Sequence, residues 1–108
     1  MRTLAAALLL FAMACAPVQE AVDNTARQGA KSVVTETLAT RFPQVPKQLI
    51  TPFTDCIIDN SSALEIREFA KAAIVGVDDG TVATVKAVLA RPETVQCLQT
   101  SALSTGLF

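Results

Sequence analysis

Three cysteines, Cys15, Cys56 and Cys97, are the residues of this 108-residue chain with the most chemistry to offer. A thiol can carry an acyl group, join a second sulfur, bind a soft metal or act as a nucleophile. Spacing narrows the choice. None of the three belongs to a C-x-x-C pair, the arrangement that lowers a thiol pKa for redox work, and the clustered ligand spacing of a zinc site is absent. The chain has no histidine, tryptophan or tyrosine, so the usual acid–base group near neutral pH and the commonest metal ligand are both missing.

Cys15 follows a segment of a different kind. Met1-Arg2 is a short positive start, Leu4 to Met13 is apolar, and Ala12, Ala14 and Ala16 supply small residues where a leader peptidase cuts. The apolar run is shorter than the roughly 20 residues of a spanning helix. Residues 1–14 therefore read as a cleaved export signal. Ala12-Met13-Ala14-Cys15 resembles the bacterial lipobox, with alanine where that motif usually has a larger aliphatic residue. The resemblance implies that Cys15 becomes the acylated first residue of the mature chain, with residues 15–20 as lipidated cysteine and tether. Each buried methylene contributes about 0.8 kcal/mol, so several acyl chains hold a protein on a membrane almost irreversibly. With Cys15 so used, Cys56 and Cys97 remain. In an oxidising compartment such a pair persists as a disulfide, here expected to be structural.

The carboxylates offer less. Asp55 and Asp59 lie four apart and share a face if their segment is helical, a spacing that suits a cation or an acid–base pair; first-turn placement of Asp55 explains the residues more simply. Asp78-Asp79-Gly80 lacks the alternating oxygen ligands of a calcium loop and reads as a turn with a helix cap. Asn60-Ser61-Ser62 has the form of a glycosylation sequon but reads as a helix stop followed by a start. Ser32, Ser101 and Ser104 stand in no nucleophile-elbow context. No catalytic residue, metal site or cofactor is expected. Leader removal takes Arg2 from the 9 basic residues and none of the 10 acidic ones, so no basic footprint for nucleic acid arises.

The elements that must position these residues read as helices. Between 20 and 41, Val22, Ala26, Ala30, Val33, Val34 and Leu38 recur at three- and four-residue steps, with Phe42 next, and Asp23 can pair with Arg27 on the outer face. Pro43 and Pro46 stop this helix. Thr51-Pro52 reads as an N-cap and first helical position, Asn60 as a left-handed stop, and a short strand over 56–58 is the competing reading. Ser62 to Glu65 fits a capping box opening a helix with Ile66, Phe69, Ala70, Ala73 and Ile74 inward, closed by Gly76 with Val77 folding back. Asp78 to Thr81 starts the next, carrying Val82, Val85, Val88 and Leu89. Pro92 opens the last, with Val95, Leu98, Ala102 and Leu103 as its stripe and 104–108 fraying. The fold class is all-α: a small bundle of four to five helices over 21–108, after a cleaved signal peptide.

Three segments together carry a family likeness: Cys15-Ala16-Pro17-Val18-Gln19, Phe53 to Asn60 (Phe-Thr-Asp-Cys-Ile-Ile-Asp-Asn) and Arg91 to Leu98 (Arg-Pro-Glu-Thr-Val-Gln-Cys-Leu). They resemble a family of small, uncharacterised lipoproteins of Gram-negative bacteria, some members of which carry an automatic succinate dehydrogenase label. The flavin, haem and quinone sites of that enzyme use residues including histidines, which this chain lacks. None of the three segments is tied to a known activity. The leader, the cysteine parity and the lack of catalytic groups lead to the expectation of a non-enzymatic envelope lipoprotein, anchored to membrane lipid, facing the periplasm and binding an envelope protein. The alternatives are a soluble periplasmic module for a small ligand, with a cavity among Phe42, Phe53 and Phe69, and an accessory subunit of a membrane enzyme.

Overall fold

The structure is a computed structural model that describes residues 24–104. The expected signal peptide over 1–14, the Cys15 site, its tether and the pairing of Asp23 all lie outside the described residues, as do 105–108. Five α-helices and one 3₁₀ turn make up the fold, and there is no strand among the described residues. The all-α expectation holds.

Helix α1 spans 24–41. Ala30, Val33, Val34, Thr37 and Leu38 are its buried residues, the stripe that a 3.6-residue repeat predicts. Thr37 sits in that apolar stripe because its hydroxyl donates back to the Val33 carbonyl (2.7 Å). Pro43 ends the helix as expected, and Phe42 tucks its ring into the core.

Helix α2 runs from Ile50 to Asp59, earlier than the sequence suggests. The start is set by Pro46, which caps a 3₁₀ turn over Lys47–Leu49 leading directly into α2, with Leu49 buried as its anchor. Thr51 is exposed and caps nothing. Pro52 falls in the first turn, where its missing N–H has no helical acceptor to lose. Asn60 does end α2, but with φ −105° and ψ 9° rather than a left-handed conformation; its side-chain amide donates to the Cys56 carbonyl instead (2.8 Å). Residues 56–58 are helical, not a strand.

Helix α3 covers Ala63–Val75 and opens with the expected capping box, Ser62 Oγ accepting from the Glu65 N–H (3.2 Å) and Glu65 Oε1 from the Ser62 N–H (2.8 Å). Its buried face is Ile66, Phe69 and Ala72; Ala73 is exposed and Ile74 is 88% exposed, against expectation. With Phe69 at the centre of the buried face, Ile74 lies five residues on and about 140° around the helix, which points it outward. Gly76 closes α3 at φ +100°, ψ 157°, a region almost confined to glycine.

Helix α4 spans Asp79–Leu89 and is capped by Asp78, whose carboxylate accepts from the Thr81 N–H (2.9 Å) while the Thr81 hydroxyl accepts from the Asp78 N–H (3.3 Å). The Thr81 N–H foremost, and then the Thr81 hydroxyl donating to Oδ1 (3.1 Å), hold the Asp78 carboxyl below its ordinary range. Val85 and Val88 are fully buried. Helix α5 covers Pro92–Ser104 and departs most from its expected stripe. Val95 and Leu103 are 39% and 65% exposed and Thr94 is buried in their stead, while Ala102 is buried and Leu98 half-buried as expected. The Thr94 hydroxyl finds no hydrogen-bond partner.

Contacts at the two poles of the bundle give the order of the helices. Arg27 meets Asp59 (3.1 Å) and Lys31 meets Asp55 (3.4 Å), so α1 and α2 are antiparallel. Arg91, in the α4–α5 turn, reaches Asn60 and Glu65 in the α2–α3 turn and first turn of α3. At the opposite pole Arg41 ends α1 beside Asp79 at the start of α4 (3.9 Å). The helices run alternately up and down. One contiguous apolar cluster, including Val34, Leu38, Ile57, Ile58, Phe69, Val85 and Val88, is built from α1 to α4 with Phe42, and no residue of α5 belongs to it.

The two helix-associated glycines predict opposite outcomes. A methyl at Gly29 meets Ala73 and Ala70 of α3 at ordinary contact distances, 3.7–3.9 Å, so Gly29→Ala is expected to stabilise the fold by about 0.5–1 kcal/mol through helix propensity. Gly76→Ala has open space but the wrong φ and is expected to cost about 1–3 kcal/mol. Urea unfolding of both variants checks the signs.

Candidate functional site

The sequence-predicted sulfur pair meets. Cys56 on α2 and Cys97 on α5 form a disulfide with their Cα atoms 5.7 Å apart, across 41 residues of chain. Cys56 is 1% exposed, while Cys97 is only half-buried. The Ser101 hydroxyl lies 3.4 Å from the Cys56 sulfur, one turn beyond Cys97 on the same face of α5. Counted forward at 100° per residue, Ser101, Thr94, Leu98 and Ala102 lie about 40°, 60°, 100° and 140° around α5 from Cys97 and form the inward face. Cys97 sits at one edge of that face, Val95 beyond the other at about 160°, and Leu103 on the outside at about 240°.

Asp55 and Asp59 do share a face of α2, but each is matched to a base on α1. Asp55 faces Lys31 and Asp59 faces Arg27, with all four side chains 44–65% exposed. The next rung is a hydrogen bond between the Thr35 and Thr54 hydroxyls (3.1 Å). Four-residue spacing on two antiparallel helices makes this ladder, and exposed pairs of the kind contribute under about 1 kcal/mol each. The carboxylates are paired across the helices, not with each other. Likewise the Asp78 oxygen expected to serve as a cap does so. No group of three or more metal-ligating side chains comes together among the described residues.

The contact-rich residue that the sequence alone does not reveal is Arg91. It occupies the N-cap slot of α5, its carbonyl accepting from the Val95 N–H (3.0 Å). Arginine is a poor N-cap beside serine, threonine, aspartate or asparagine, and that local oddity was the available signal. Its guanidinium is used elsewhere. Nη1 donates to the Asn60 carbonyl (2.7 Å) and to Glu65 Oε1 (2.8 Å), and Nη2 to Glu65 Oε2 (2.7 Å). The fork matches the planar carboxylate on both nitrogens. Asn60 is also the C-cap of α2, and the Ser61 hydroxyl donates to the Ile57 carbonyl (2.6 Å), so unpaired carbonyls at this helix end find donors. The Glu65 side chain is 18% exposed. Hydrogen bonding from Arg91, then from Ser62 against the opposing effect of burial, holds the Glu65 carboxyl below its ordinary value.

A cleft of about 280 Å³ lies between α3 and α4. Phe69 and Ala72 form part of its floor, and Lys71, Asp78 and Thr84 part of its rim. It does not lie among Phe42, Phe53 and Phe69 as the ligand-binding alternative expects. Phe42 is buried and Phe53 packs on the core cluster; only Phe69 reaches the cleft. Among the described residues no helix is long and apolar enough to cross a membrane.

No family model, curated protein or solved structure matches the chain.

Two outcomes follow from this geometry. Replacing Cys56 and Cys97 together by alanine is expected to lower unfolding stability by roughly 2–5 kcal/mol and to steepen the denaturant dependence, since the uncrosslinked chain exposes more surface; urea titration of both proteins reads both quantities. For Glu65 the folded pKa is depressed, so its contribution is complete above the ordinary value of 4.5 and lost as pH falls through the folded value. Glu65→Gln is expected to lower the thermal midpoint at pH 7 and to flatten its decline below about pH 4.5, measured by melting across pH 3 to 7.

Proposed function

We propose that this chain is a non-enzymatic lipoprotein of the bacterial cell envelope, anchored through acyl chains on Cys15 at a membrane surface facing the periplasm, where it acts as a structural or protein-binding module. The observation that supports this most directly is the pairing of Cys56 with Cys97. It consumes two of three cysteines and leaves Cys15 as the single remaining thiol, directly behind an export-type leader and a lipobox-like Ala-Met-Ala. A structural disulfide fits an exported protein. The likeness of Cys15 to Gln19, Phe53 to Asn60 and Arg91 to Leu98 to small Gram-negative lipoproteins points the same way. The paired carboxylates and the absence of histidine give an enzymatic reading no residues to use.

A second reading, a soluble periplasmic module for a small ligand, rests on the α3–α4 cleft. At about 280 Å³ it lies at the small edge of ligand pockets, which run from roughly 300 to 1,000 Å³. Lys71 and Asp78 on its rim suit a small zwitterion. The cleft gives this reading a location and nothing more specific.

The test is intact-mass analysis of the protein purified from membranes. An amino terminus at Cys15 carrying acyl groups is expected, together with release of Cys15→Ser into the soluble fraction. Mature protein with an unmodified Cys15 overturns the anchor.

A further inference from the structure

The geometry points to one pole of the bundle as the surface that lies against lipid: the pole where the chain enters α1, presenting Leu64, Pro92 and Val95. This rests on the anchored reading above and adds to it which face meets the membrane.

The helix order defines that pole. Arg27 near the start of α1 pairs with Asp59 at the end of α2, and Arg91 joins Asn60 and Glu65. The beginning of α1, the α2–α3 turn and the α4–α5 turn therefore gather at one end. The residues flanking the Arg91–Glu65 pair are apolar and turned to solvent. Leu64 is 72% and Val95 39% exposed, and Ala63, Ala90 and Pro92 are exposed too.

Most of the charge at this pole is paired. Arg27 is neutralised by Asp59 and Arg91 by Glu65, leaving Arg67, Lys86 and Glu93, one positive charge in excess. Paired charges cost less to bring against a low-dielectric surface than single ones. At the opposite pole Asp78 and Asp79 start α4, with Arg41 on one of them at 3.9 Å and Lys47 exposed in the 3₁₀ turn, so net charge does not separate the two ends. Ile74 and Val75, 88% and 70% exposed, lie toward this second pole on the last turn of α3. Apolar exposure alone would favour them.

Tether length decides between the two. Eight residues separate Cys15 from Asn24 and extend at most about 28 Å. The 18 residues of α1 measure about 27 Å. Turning the Ile74 pole to the lipid would require the tether to run taut along the whole bundle. Placing the Leu64 pole there requires no such stretch, and the side chains at hand are Leu64, Pro92 and Val95.

The test uses the acylated protein purified from membranes and placed on vesicles of phosphatidylethanolamine and phosphatidylglycerol. Single cysteines replace Leu64, Val95 or Ile74 and are labelled with an environment-sensitive fluorophore; with Cys15 acylated and the other pair oxidised, the new thiol is the only one free. Labels at 64 and 95 are expected to shift to the blue and brighten on vesicles, and the label at 74 to keep its aqueous emission. A blue shift at 74 with none at 64 overturns the orientation, and so does aqueous emission at all three positions. Flotation of each protein with the vesicles reads anchoring separately: a floating protein with aqueous labels defeats the orientation alone, whereas a protein that stays behind with Cys15 unmodified defeats the anchor and the orientation with it.

Discussion

The bond between Cys56 and Cys97 decides how the last third of the fold is arranged. Helix α5 adds nothing to the contiguous apolar cluster, keeps Val95 and Leu103 in solvent and buries a threonine hydroxyl with no partner. It faces the core with Thr94, Ser101 and Ala102 and half-buries Leu98, a face poor in large apolar side chains. Cys97 lies at the edge of that face, and the bridge holds α5 to α2 at a Cα separation of 5.7 Å. The cross-link adds to this modest burial what larger apolar side chains supply in the other four helices. A loop of this length is worth about 4 kcal/mol in the chain-entropy model, a large part of the 5–15 kcal/mol by which small domains are stable.

Around that bond the polar contacts set register more than they supply energy. The Arg27–Asp59 and Lys31–Asp55 rungs are exposed to solvent, yet they admit only one alignment of α1 against α2. The Arg91 fork is of a different kind. It joins the end of α2, the cap of α3 and the start of α5 with three short hydrogen bonds, so α5 is fixed at its first turn by an ion pair and at its second by a covalent bond.

Most of the fold was legible because its signals were local. Ser62 with Glu65, Asp78 with Thr81 and Pro92 at the head of α5 are caps written within four residues, and the α1 stripe repeats five times without a break. The sulfur pairing was legible by parity. What escaped depended on partners far along the chain. Ile74 has the right spacing from Ala70 to look buried, and only the central position of Phe69 shows that it points away. Val95 and Leu103 read as a core stripe with Leu98 and Ala102, of which only the last two turn inward. Thr51 looks like a cap until Leu49, drawn into the core behind Pro46, starts α2 sooner. Arg91 carries the candidate site's most specific contacts across 26 and 31 residues, and no periodicity encodes them.

The count of helices has a consequence of its own. The described residues hold five alternating helices, an odd number, so they end at the pole opposite to the one where they begin; an even number would have returned them. Residue 104 thus stands a full helix away from Asn24, about 20 Å along the 13 residues of α5. A dye carried at position 103, where Leu103 is 65% exposed, would therefore report on the far end of the bundle from Asn24.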